Sequence, residues 1–431
     1  GPPLHAHPRL RGVRADAWAA MERRLQSAFD ASTADEAVRT QTTDARNFIE
    51  KTLLPAWADA VLGGSDGQHE LERVRTMADA MLRVAGDAFY RDAVTAIDRV
   101  GATAAGRRLA QAHASYAQGA VTFGDDRFAA ANPLLVESQV LFESVNSPFA
   151  DRAALDVATL LYVRGQSHAA LGSLLVIRTT ALRGQYAFNA ARASWLSGLV
   201  TFGQGRLGET QAHYEDMFAG FSAMGDAEGM ANAHHLLAAL HDYLGNAPTA
   251  WTHRVEAFKG MAISSSPRFR YSLLQAAVPS IRAASPEAAL TVQDSALRIA
   301  HEWGRESAVA DALAQRASIL ASLTRHIDAS TDIQSARQFL NRIPDAAFRN
   351  RIEVAVLSTE SDLARRNDPE LAAAAATRAI ALVEQRRDRM RIAQLSLRLA
   401  KANITLGRAA AAHTALDAGL DHDALKRRIV D

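Results

Sequence analysis

Two stretches decide the fold: GAVTFG at Gly119 to Gly124 and its echo GLVTFG at Gly198 to Gly203. They lie 79 residues apart, which is twice a period of about 40. Stepping that period along the chain finds small residues at Ala93, Ala131, Ala170, Thr210, Ala250, Ala289, Ala329, Ala372 and Ala412. Twelve residues before these rungs stand Gly119, Ala158, Gly198, Ala238, Ala277, Ala317 and Ala400, with Met81 and Glu360 as the exceptions. Five residues before the rungs come Gly165, Gly205, Gly245 and Gly407, with Asn367 and Asp126 at two more; Ala88, Ala284 and Thr324 break this column. Gly and Asn tolerate the left-handed backbone that closes a helix, so a tight turn recurs at one place in the unit.

Each unit therefore reads as helix A, a turn, and helix B. In TLLYVRGQSHAALGSLLVI, apolar residues recur at three- and four-residue spacing on both sides of Gly165. No segment alternates with period two between hairpin turns, so no sheet is expected. Small residues at a helix crossing let the axes approach closely. The predicted fold is all-α: a right-handed α-solenoid of about nine helix pairs, in which each unit buries its apolar face against the next. An N-terminal helical cap is expected over 3–72, with helices over 16–29 and 45–62 anchored by Trp18 and Trp57 and a loop at Gly63 to Gly67. The solenoid then runs over 73–425, with a tail at 426–431.

The Gly/Ala, turn-Gly and Ala columns resemble the tetratricopeptide repeat, with a longer period and without most of its Trp and closing Pro. Ala233 to Phe258 and Ala336 to Val356 more narrowly resemble the helical region of bacterial caspase-like CHAT proteins. In that family such repeats accompany a protease module with a catalytic His and Cys. This chain has no Cys, so no catalytic residue carries over. The resemblance implies a sensor or scaffold, with a protease module outside this chain as the linked effector. The alternative is the sensor domain of a bacterial transcription regulator with helical repeats.

Composition narrows the function classes. The 431 residues are 48% hydrophobic and 22% charged, the balance of a folded chain. Net charge is +1, without the basic excess of a duplex binder, so nucleic acid is not an expected partner. The basic run Arg386, Arg387, Arg389 and Arg391 reads as a solvated helix end. No apolar run is long enough to span a membrane and no signal peptide opens the chain; Gly1-Pro2 has the form of a cleaved-tag remnant, and a cytoplasmic setting is expected. His234, His235 and His241 with Asp242 form the densest histidine cluster, but HExxH and a matching carboxylate pair are absent, so neither metal nor cofactor is expected. Phosphate loop, nucleophile elbow and triad are absent too, and no enzyme activity is expected.

What remains is binding. In tetratricopeptide proteins helix A lines the concave groove, and projecting the repeat puts Tyr116, Arg152, Tyr162, Arg192, Trp195, Phe202, His235, Tyr243, Tyr271 and Arg282 there. The next unit offers Asp311, Ala314, Ser318 and Ser322, a blander set. Tyr, Trp and Arg are the commonest anchors of protein interfaces. The expected ligand is a peptide, a protein segment or an anionic molecule. Filler between neighbouring A helices is the competing interpretation, and the sequence leaves both open.

Overall fold

The structure, a computed structural model, describes residues 13–27, 29–264, 266–384 and 389–430. Among them there is no strand, and nearly all are helical. The N-terminal helices are α1 (Val13–Ser27), α2 (Ala31–Thr40), α3 (Thr42–Phe48) and α4 (Leu54–Leu62). A π-helical turn, Ile49–Leu53, joins the last two; Pro55, which has no N–H to donate, follows it. The sequence expectation of a helix over 16–29 is met nearly in register, and α2 is an addition to it. The residues before Val13, with His5 and His7, lie outside the described ones.

Among the described residues, nine helix pairs follow. They are α5 (Gln68–Ala85) with α6 (Phe89–Val100), α7 (Ala104–Gly124) with α8 (Phe128–Ser144), α9 (Phe149–Val163) with α10 (Ser167–Gly184), and α11 (Ala187–Gly203) with α12 (Leu207–Ala223). Next come α13 (Ala227–Tyr243) with α14 (Ala247–Ile263) and α15 (Pro267–Ala284) with α16 (Pro286–Trp303). The last are α17 (Glu306–Ser322) with α18 (His326–Leu340), α19 (Ala346–Ala364) with α20 (Pro369–Glu384), and α21 (Arg389–Thr405) with α22 (Ala409–Val430).

Every rung of the small-residue ladder lies on a B helix and is buried, from Ala93 to Ala412. The partner column lies on the A helices, where Gly198 shows why size matters. A Cβ there would sit 2.3 Å from the Tyr214 ring of the paired helix. The turn column adopts positive φ at Gly165, Gly205, Gly245 and Gly407, and also at Asp126 and Thr324 (φ 60°). Thr324 departs from the column in chemistry but keeps its backbone geometry, which a β-branched residue adopts only under strain.

Successive superhelical turns touch at residues 180 to 216 apart, about four and a half to five and a half units. Asp226, the N-cap of α13, accepts from Thr43 Oγ1 at 2.8 Å and pairs with Arg46 at 3.1 Å. Asp345, the N-cap of α19, accepts from Phe348 N and from Ala129 N at 3.1 Å. Between the α7–α8 and α16–α17 turns, Arg305 pairs with Asp125 at 2.8 Å and Ser307 donates to Asp126 at 2.6 Å. Capping carboxylates thus serve twice, once for their own helix and once as staples between turns.

The first turn is filled. A continuous apolar core runs from Met21 and Trp57 through Phe89, Phe142 and Phe149 to Phe221 and Ala233. Inside it Arg152, 1% exposed, lies 3.2 Å from Glu50 and stacks on the rings of Phe89 and Phe188.

Candidate functional site

The second turn is hollow. A cavity of ≈ 590 Å³ opens along the A helices α15, α17, α19 and α21 and reaches the α7–α8 turn. Its walls carry five arginines (Arg268, Arg282, Arg351, Arg391 and Arg398) against two carboxylates, Asp126 and Asp311. Aromatic walls come from Phe123, Phe128, Tyr271, Trp303 and Phe348. Phe128 meets Phe348 edge-on with ring centroids 4.8 Å apart, and Tyr271 tilts against Trp303 at 6.3 Å.

Both carboxylates are already engaged. Asp311 accepts from Tyr271 Oη at 2.8 Å and from the amides of Gln275 and Gln315 at 3.3 Å. Asp126 takes the Ser307 hydroxyl, and burial pushes its carboxyl above the usual value while Ser307, Arg305 and Arg268 oppose that push. Among the cations, Arg398 pairs with Asp362 at 3.0 Å and Arg282 donates to Ser318 at 2.7 Å. Arg268 is exposed where it lines the cavity. Loss of solvent around its head group lowers its proton affinity; the cations of Arg192, Arg351 and Arg305 add to the effect and Asp126 counters it. Because a guanidinium keeps its proton, the surplus charge stays, and an incoming anion would relieve it.

The ten expected groove residues divide. Tyr271 and Arg282 line the hollow. Tyr162 lies beneath the Arg351 guanidinium, 5.7 Å from it, and Arg192 adds to the positive field at Arg268. Trp195 is half-buried against the first-turn core. Phe202 and Tyr243 pack edge-on with each other at 5.6 Å. His235 is held neutral, pulled down to about 4 by burial with Arg254 pushing the same way.

Three residues correct the expectation of an open stripe. Tyr116 and Tyr271 are only 5% and 8% exposed and Arg152 less still, so none presents a free face. Tyr116 donates to Asp156 at 2.8 Å inside the first turn, where the N-terminal helices occupy the space a groove would need. Tyr271 contributes to the wall through its edge while its hydroxyl is fixed on Asp311 and the Ala308 carbonyl.

Arg268, Arg351, Arg391, Arg398, Trp303 and Phe348 were not among the expected residues. A signal for two of them existed. Forty-residue steps from Tyr271 land on Asp311, Arg351 and Arg391, so carrying the projection two units further reaches them. Two of the bland set of α17, Asp311 and Ser318, also line the cavity. The basic run is likewise not just a solvated end: Arg391 faces the hollow, while Arg386 and Arg387 lie outside the described residues.

The histidine cluster also resolves. His234 and His253 share a hydrogen bond between their Nδ1 atoms at 2.9 Å, and His253 stacks on His241 at 5.5 Å. The 5.1 Å centroid separation of His234 and His253 is close to that of rings joined nearly in line, the geometry of one shared proton. Asp242 instead pairs with the buried Arg254. No group of three candidate ligands that could hold a metal occurs among the described residues, and no described helix is long and apolar enough to cross a membrane.

No known family profile matches the chain, and no curated protein matches it in sequence. Solved structures do resemble it. The Cut9–Hcn1 hetero-tetramer of the APC/C superposes with a TM-score of 0.51 at 11% identity, over 96% of this chain and 74% of that one. A Rap protein complexed with competence and sporulation factor gives a TM-score of 0.42 at 11% identity, over 92% of this chain and 99% of that one. A signal-transduction ATPase of Pyrococcus horikoshii with a tetratricopeptide repeat sensor gives 0.43 at 13% identity, over 88% and 65%. At such identities the likeness speaks to fold alone, and that fold is the tetratricopeptide-like helical-repeat solenoid.

Proposed function

We propose that this chain is a non-catalytic helical-repeat receptor whose hollow takes an extended protein or peptide segment carrying apolar and acidic side chains. One observation carries this reading: five arginines line a cavity whose two carboxylates are already bonded to protein donors. Guanidinium groups offer paired donors to carboxylates, and the aromatic walls offer contact area at low entropic cost. Four neighbouring A helices at about 10 Å spacing span about 30 Å. At about 3.3 Å per residue, that distance suits an extended segment of about nine residues. Binding would be passed to an effector, and the resemblance to CHAT proteins makes a caspase-like protease module the effector to look for.

An array of random octapeptides tests this. Binders should be enriched in Asp and Glu alongside Leu and Phe, and should weaken as salt rises. Arg282→Glu with Arg351→Glu should abolish their binding while the helical spectrum persists. Binders without acidic enrichment, or indifferent to the double reversal, would sink the proposal.

A further inference from the structure

The outward faces of the B helices differ in a way that the packing of the repeat does not require. Five and six residues past its rung a B helix turns away from the core, and several units place polar or charged residues there. They are Asp98 and Arg99 on α6, Glu215 and Asp216 on α12, Asp294 and Ser295 on α16, and Gln334 and Ser335 on α18. On α8 and α10 the same places hold Val136, Leu175 and Val176, with Val140 and Leu182 beside them, all exposed. Val176 leads with 67% of its surface open. The core-facing side of α10 is separately supplied by Ala170, Leu174 and Ile177. Over its 18 residues α10 has only His168, Arg178 and Arg183 as ionisable groups. The exposed side chains form one strip. Arg178, eight residues past its rung, reaches Asp216, six past the next rung, at 2.6 Å. The repeat applies that offset one unit earlier and sets Gln139 beside Val176, so Val136 and Val140 adjoin the apolar residues of α10. A contiguous apolar strip on an outer face marks an interaction surface.

Charge says what covers it. Helix α8 exposes Glu137 and Glu143 and carries no cation, whereas α10 carries no acid and exposes Arg183, which pairs with no described residue. One edge of the strip is therefore acidic and the other basic. Glu143 stands twelve residues past its rung and Arg183 thirteen past its own, so the two occupy the same height in successive units. A two-fold axis running along the strip, midway between the helices, lays α8 of each copy on α10 of the other. It also brings Glu143 of each copy to Arg183 of the other. We infer that the chain forms a homodimer through the outward faces of α8 and α10, closed at both edges by Glu143–Arg183 pairs. A second copy matches an apolar strip with opposite charges on its edges by symmetry alone. Two helices about 25 Å long at about 10 Å spacing offer about 500 Å² per copy, and the polar rim brings that towards the ~800 Å² of a standard interface. The dimer is accordingly reversible. It is independent of what the hollow binds, since none of these side chains lines that cavity.

Sedimentation velocity of the whole chain over a rising micromolar concentration series provides the test. The expected result is a monomer that passes to a dimer as concentration increases. Val140→Glu with Val176→Glu places charge in the strip at exposed positions, so the helical spectrum should persist while association weakens about 100-fold or more. Val255→Glu, at an exposed apolar position of α14 outside the strip, should associate like the parent. Glu143→Arg and Arg183→Glu should each weaken the dimer, and the two together should restore it, because each pair forms again with its polarity exchanged. A chain that stays monomeric throughout overturns the inference and leaves the strip to a different partner. So does a dimer indifferent to Val140→Glu with Val176→Glu, or one lost in Val255→Glu. A double charge reversal that associates no better than its single variants contradicts the two-fold pairing and overturns the inference as well.

Discussion

The two superhelical turns are built from the same repeat and end in opposite states. In the first, the N-terminal helices pack inside, and residues of α7 and α9 meet them: His113 edge-on to Trp57 and Arg152 against Glu50. In the second, no further helix enters among the described residues, and the corresponding faces of α15, α17, α19 and α21 surround a cavity. One lattice of small residues fixes helix spacing in both. Inward arginines therefore sit buried in the core in one turn and line a cavity in the other.

The largest expected effect lies in the filled turn. Arg152→Ala leaves Glu50 and the Phe89–Phe188 pocket without their cation and should destabilise by about 3–5 kcal/mol in urea unfolding. An almost neutral result would mean the first turn is looser than its burial suggests. The shared lattice comes next. Gly198→Leu drives a side chain into Tyr214 and should cost about 1–3 kcal/mol, whereas leucine at exposed Glu209 should change stability by about 0.5 kcal/mol or less. Equal stabilities would place the repeat in the wrong register.

The ladder was legible because packing at helix crossings demands small residues at a fixed interval, and a periodic demand survives in sequence. Gly198 and Ala170 announce themselves this way, and even Thr324 holds its turn through its neighbours. The site was only half legible. Tyr271 and Arg282 were projected onto a face that lines the hollow, but Tyr116 and Arg152 lie on equivalent faces of units plugged by non-repeating helices. No periodicity can report a plug that occurs once. Arg268 escaped because it sits at the first turn of α15, outside the projected positions, where exposure depends on which superhelical turn lies opposite.

A smaller, graded effect follows from protons. Burial pulls His113 down to about 3 and His235 to about 4, whereas the unfolded chain protonates both near 6.5. The unfolded state then binds more protons below that pH, so stability falls as pH drops from 6.5 towards 4. The loss is up to about 1.4 kcal/mol per pH unit for each histidine. His113→Phe, in a pocket of Trp57, Phe142 and Phe149 edges, should flatten that slope. An unchanged slope would assign the pH dependence to other groups.

The smallest expected change in stability belongs to the hollow, and there function should move instead. Arg351→Ala should melt within about 0.5 kcal/mol of the parent chain while losing the acidic peptides that the parent selects. Hydrogen exchange tests the division between the two turns most directly. With a selected peptide bound, amide protection should rise along α15, α17, α19 and α21 and stay unchanged along α7, α9 and α11. Protection appearing on the first-turn helices, or on the B helices alone, would contradict a filled turn that holds the fold and a hollow turn that holds the ligand.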